Sequence, residues 1–106
     1  MAQIKAVLTN VNDAVAISMP DEEQAVGTVQ ITASADASTF AVEGTMDGAT
    51  FVAIQVFPSV GGAGVTSFTG VGMWTFTVNG LKQLRVRKTV LGIGGAQTVF
   101  IGVVYV

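Results

Sequence analysis

Glu43 and Asp47 are the carboxylates best spaced for acid–base chemistry, since both fall on one face of an expected strand. Cleaving a glycosidic bond takes two carboxyls about 5–10 Å apart, one as the acid and one as base or nucleophile. Four residues of strand set this pair roughly 13 Å apart. Glu43 is therefore expected to be a solvent-face charge, and Asp47 a turn residue. Asn10, Asn12 and Asp13 place hard oxygens as a calcium loop does, and Asp21, Glu22 and Glu23 could add more. However, Ala14 stands where the next ligand belongs and no glycine follows. Two polar turns account for these residues more simply.

Gly92, Gly94 and Gly95 would cradle a phosphate only ahead of a helix, and a strand pattern follows them. The chain has no histidine and no cysteine, which removes the usual general base, the commonest metal ligand and any thiol chemistry. Serine and threonine are plentiful but have no base to activate them. The protein is expected not to be an enzyme, and to use no cofactor and no metal.

The positive charges are concentrated. Lys82, Arg85, Arg87 and Lys88 are four of the five lysines and arginines. Arg85 and Arg87 share an outward phase with Gln83, so they should project together from one sheet face. They are the expected polar anchors for carboxylates of a neighbouring protein, with the Asp21–Glu23 run of another copy as one complement. The alternative is a solvated strand that discourages edge aggregation. For sugar binding, the free aromatic candidates are Phe68 and Tyr105, because Trp74 shares a core phase with Phe76 and Val78.

The elements that must position these groups read as short strands. Alternation is clear over 25–33, with Val29 and Ile31 inward, and over 38–46, with Phe40 and Val42 inward. It returns in Trp74-Thr75-Phe76-Thr77-Val78 and in Leu84-Arg85-Val86-Arg87. Asp47-Gly48 and Asn79-Gly80 are strong hairpin-turn signals. Residues 14–18 make a short strand with Val15 and Ile17 on one side, ended by Pro20. Residues 50–57 and 98–106 are apolar on both phases, as expected of strands sandwiched between layers or facing a partner. Residues 58–72 read as a glycine-rich loop with a short strand around 65–68. Ile4, Ala6 and Leu8 share one phase in residues 1–9, a first strand or an N-terminal arm. The chain is expected to be one all-β domain, an antiparallel β-sandwich or jelly roll of about seven to nine short strands.

Composition adds a constraint on how such a domain lives. Charged residues are 11% of the chain and hydrophobic ones 50%, whereas roughly a quarter of an average soluble domain is charged. Part of the apolar surface is therefore expected to be covered by other subunits. The net charge of −2 argues against nucleic acid, whose binding needs a basic field. No signal peptide is expected from Met1–Lys5, and the uncharged segment 89–106 suits a β-hairpin better than a membrane helix.

The succession Val29-Gln30-Ile31-Thr32, Phe40-x-Val42-Glu43-Gly44-Thr45-x-Asp47-Gly48 and Phe51-Val52-Ala53-Ile54 is completed by a second block, Trp74-x-Phe76-x-Val78-x-Gly80-Leu81-x-x-Leu84-Arg85-Val86-Arg87. It resembles small β-sandwich modules of tailed-bacteriophage virions. That group includes capsid decoration (cement) proteins and parts of tails and fibres. The resemblance implies a jelly-roll or immunoglobulin-like sandwich with a structural role. The glycine-rich loop 61–64 and the first 25 residues lie outside the match. The resulting expectation is a cement subunit on the outer capsid of the virion, assembled in the host cytoplasm. Its expected partners are itself, as a trimer, and the major capsid protein or another virion protein, with no membrane. A tail, neck or fibre component is the alternative within that class, and a host-surface carbohydrate-binding module the alternative outside it. Contact residues are expected in segment 2–9 (Ile4, Leu8), loop 58–72 (Phe68), the C-terminal strand (Tyr105), and among Lys82, Arg85, Arg87 and Lys88.

Overall fold

The computed structural model describes residues 2–19, 24–32, 38–90 and 96–105. Among them every regular element is a strand: β1 (Ala2–Leu8), β2 (Ala14–Ser18), β3 (Gln24–Thr32), β4 (Thr39–Thr45), β5 (Val52–Ala53), β6 (Phe57–Pro58), β7 (Phe68–Thr69), β8 (Gly72–Asn79), β9 (Gln83–Val90) and β10 (Gln97–Tyr105). They form two antiparallel sheets. The first runs β1-β10-β3-β8-β6; the second runs β2-β9-β4-β5, with β7 also paired to β4.

The period-two apolar pattern dictates the interior. Val29 and Ile31 of β3, Val99, Ile101 and Val103 of β10, and Trp74, Phe76 and Val78 of β8 line the inner face of the first sheet. Val15, Ile17, Phe40, Val42, Leu84 and Val86 answer from the second sheet. Burying each such side chain stabilises the fold by about 1.5–3 kcal/mol. The molecule is a slab of 39 × 30 × 21 Å, its short dimension matching two sheets packed about 10 Å apart plus their outward side chains. Gly27 sits in an inner row between Val103 and Phe76. A Cβ there would fall 2.3 Å from the Phe76 ring, so the missing side chain is the space the ring fills.

Of the two readings of the first nine residues the structure has the strand: β1 pairs with β10 over its whole length, from Ala2↔Val103 to Leu8↔Gln97. Two expectations are corrected. Residues 50–57 are not one strand. Val52 and Ala53 pair with β4, Phe57 pairs with β8, and between them the chain crosses from one sheet to the other. The two-sided apolar pattern is that of a crossing segment, which turns Val56 into the core at 0% exposure. This break also raises the strand number to ten. Finally, Glu43 is not a solvent-face charge, because the outer side of β4 is covered.

Candidate assembly surfaces

The outer side of the second sheet is built around Glu43. β4 and β9 pair Glu43↔Arg85 and Ala41↔Arg87, so both arginines stand next to one carboxylate. Glu43 Oε1 accepts from Arg85 Nε at 2.7 Å and from Arg87 Nε at 3.0 Å. Its Oε2 accepts from Arg87 Nη2 at 2.9 Å. Arg87 Nη1 donates to Asn12 Oδ1 at 2.7 Å, and the Arg85 guanidinium lies 3.7 Å from the centre of the Phe51 ring. Only 8% of the Glu43 side chain is exposed, against 28% and 26% for Arg85 and Arg87. The hydrogen bonds from Arg87 first, then Arg85, hold the Glu43 carboxyl below its ordinary range, against the opposing effect of burial. Glu43 in turn raises Arg87.

The basic group expected from the sequence therefore divides into three environments. Arg85 and Arg87 are committed to a carboxylate of their own chain, and the Asp21–Glu23 run lies outside the described residues. Lys88 is fully buried, contrary to an anchor's role. It follows Leu84 and Val86 in the inward phase, donates to the Thr9 carbonyl at 3.2 Å and stands 5.8 Å from the Phe40 ring centre. Lys82 alone is exposed, beside the turn at Gly48.

Of the apolar contact candidates, Leu8 is 2% and Phe68 5% exposed, so neither offers a contact surface. Leu8 belongs to the core cluster. Phe68 stacks on Trp74 with ring centres 4.2 Å apart, which also removes it as a sugar platform. Ile4 packs half-buried against the core. Tyr105 pairs with Ala25 through its backbone, and its side chain lies outside the described residues. Gly92, Gly94 and Gly95 lie outside them too. The polar turns are self-contained: Asp13 Oδ2 accepts from Asn10 N and Thr9 N, at 2.8 and 3.0 Å. Asp47 Oδ1 accepts from Thr50 N, Ala49 N and Thr45 Oγ1 within 2.8 Å. In each case the backbone donors push the carboxyl below its ordinary range. No helix among the described residues is long and apolar enough to cross a membrane.

The outer face of the first sheet is of another kind. Its rows run Lys5, Phe100, Gln30, Met73; then Gln3, Gly102, Thr28, Thr75, Phe57; then Val104, Val26, Thr77. Lys5 is the one charge in these rows, set 5.7 Å from the Phe100 ring centre. Val26, Val104, Phe57 and Met73 are 41–49% exposed. Sequence reasoning singled out none of these four as a contact residue. The signal available was the second apolar phase of β10 and of the 50–57 segment.

The described residues thus form a small sandwich of two antiparallel five-stranded sheets. The fold is similar to that of the SPBc2 prophage-derived protein YomS, with a TM-score of 0.66 at 14% identity, covering 98% of this chain and 96% of that one. A subunit from the Bacillus endospore appendages, disulfide-linked pili, aligns with a TM-score of 0.48 at 14% identity, over 94% of this chain and 82% of that one. No protein-family model and no curated protein matches the sequence.

Proposed function

We propose that this protein is a structural subunit of a tailed-phage particle, seated on the outer capsid as a decoration or cement protein. The observation that carries the reading is the outer face of the first sheet, where Val26, Val104, Phe57 and Met73 stand half-exposed around threonines and glutamine with Lys5 as the charge beside them. Large apolar side chains gathered on one face of a small protein mark contact surfaces. Pressed against a shell, this face can supply the roughly 800 Å² per partner that specific interfaces bury. The fold shared along nearly all of both chains with a prophage-derived protein supports the phage setting. A cement subunit acts by burial alone. Each copy adds a modest contact, and a lattice of copies multiplies it across capsomer seams.

The test is to label particles released from cells that encode the protein, using antibody against this chain. Label spread over the shell in many copies is the expected result. Label confined to the tail in a few copies would move the subunit to a tail, neck or fibre position. Absence from particles would overturn the reading.

A further inference from the structure

We propose that two copies of this chain pair antiparallel along β1, so that their first sheets continue as one sheet of ten strands. The pairing rests on the assembly reading above and adds to it a surface and a symmetry.

The two lateral sides of the sandwich are built differently. On one side the edges are β1, with seven residues, and β2, with five. Among the described residues β1 bonds to β10 and to no other strand, and β2 only to β9. On the other side the edges are β5 and β6, two residues each, and β6 contains Pro58. Proteins protect sheet edges by shortness, proline, bulges or lysine. The β5/β6 side uses the first two. The β1 edge runs through seven successive pairs without a bulge, and its one protective residue is Lys5. Alternate residues of such a strand aim N–H and C=O outward, ready for another strand.

A second observation concerns the core beneath this edge. Ile4 and Ala6 point inward, opposite Ile101 and Val99. Those partners are both fully buried, whereas Ile4 and Ala6 pack against the core but stay partly exposed. The apolar seam is thus open on the β1 side, and its cover must be both a strand and apolar. A second β1 is both, brings its own Ile4 and Ala6, and matches the edge in length. A closed trimer would need the open edge to meet a different edge, and the opposite one is two residues long with a proline. Self-pairing about a two-fold axis avoids that mismatch and replaces the trimer expected from sequence. Like charges directly opposite each other are unfavourable. The axis therefore passes through Ile4 or Ala6 rather than Lys5, setting Lys5 opposite Gln3 or Val7 of the second copy.

Sedimentation of the whole purified chain should give twice its mass of 10.9 kDa. Gln3→Lys with Val7→Lys adds cations to two exposed, outward positions of β1, and should return the protein to single-chain mass with unchanged circular dichroism and a Tm that no longer rises with concentration. Because the chain has no cysteine, single substitutions are clean probes. Ile4→Cys or Ala6→Cys should give a disulfide-linked pair on oxidation, and Phe57→Cys should not. A single-chain mass at high concentration would overturn the pairing, as would a dimer that survives the double lysine variant and cross-links through Phe57→Cys. The two readings fail separately: a single chain that still coats shells sinks the pairing alone, and a pair that never joins particles sinks the assembly role alone.

Discussion

The two outer faces of this sandwich use polarity in opposite ways. On the second sheet, Glu43, Arg85, Arg87 and Asn12 satisfy one another across two strands and the 10–13 turn, with Phe51 beneath one guanidinium. Among the described residues, the outer face of the first sheet carries Lys5 as its one charge, and leaves five large apolar side chains (Val7, Val26, Phe57, Met73 and Val104) 41–57% exposed. A chain with 11% charged residues has thus placed its central ion cluster where it ties its own strands together. Under the proposed role, the docking face is the one that carries Lys5 alone, and the clustered charge of the other face is spent within the chain.

What both faces share is the core between them, and its removal is the largest effect expected. Trp74→Ala deletes a side chain 8% exposed that stacks on Phe68. It should cost about 3–5 kcal/mol, read as a lowered urea midpoint. A folded variant of native stability would mean that Trp74 serves a surface.

Next in size is the charged face itself. Glu43→Gln keeps the shape but leaves two half-buried guanidinium groups without their anion, at a cost of about 1–3 kcal/mol in the same titration. A change under about 0.5 kcal/mol, the usual range for exposed sites, would make the cluster an ordinary solvated patch and erase the contrast. The cluster also carries a pH signature. Glu43 titrates lower in the folded chain than its ordinary value of 4.5. Its contribution is therefore complete above that value and is lost as pH falls through the folded pKa. Asp13 and Asp47 act in the same direction. Tm followed on acidification below about 4.5 should fall in the native protein and fall less steeply in Glu43→Gln. Parallel curves would show that the carboxylate is not coupled to folding.

The interior of this fold was legible in the sequence because its signal is local. Val29, Ile31, Phe40, Val42, Trp74, Phe76, Leu84 and Val86 all point inward as their alternation required, and Asp47-Gly48 turns the chain where expected. The environment of outward residues is not local. Glu43 is outward in phase but buried, since its cover comes from residues 85 and 87 on another strand. Lys88 is the opposite case: its phase with Leu84 and Val86 pointed inward, and its charge type concealed that. Phe68 is held by its pairing with Phe40, a contact invisible within a glycine-rich stretch. For the same reason the neutral face was only hinted at. Val26, Phe57, Met73 and Val104 come from four strands and become one surface only once register is known.

The smallest effect on folding should accompany the largest effect on attachment. Val26 and Met73 are exposed at 47% and 41%, and lie in separate rows, opposite Thr77 and Gln30. Glutamates there would not face each other across a strand pair. Val26→Glu with Met73→Glu should change stability by about 0.5 kcal/mol or less per site, as exposed substitutions do. Against a neutral partner surface, however, the same two carboxylates must be stripped of water with no cation to meet them, which costs several kcal/mol per ion. The variant should therefore fold, melt near the native temperature and fail to coat shells in a pelleting assay. Lys82→Glu, at the exposed cation beside the Gly48 turn, should coat them normally. If instead the Lys82 variant fails and the double glutamate binds, attachment runs through charge, and the roles assigned to the two faces are reversed.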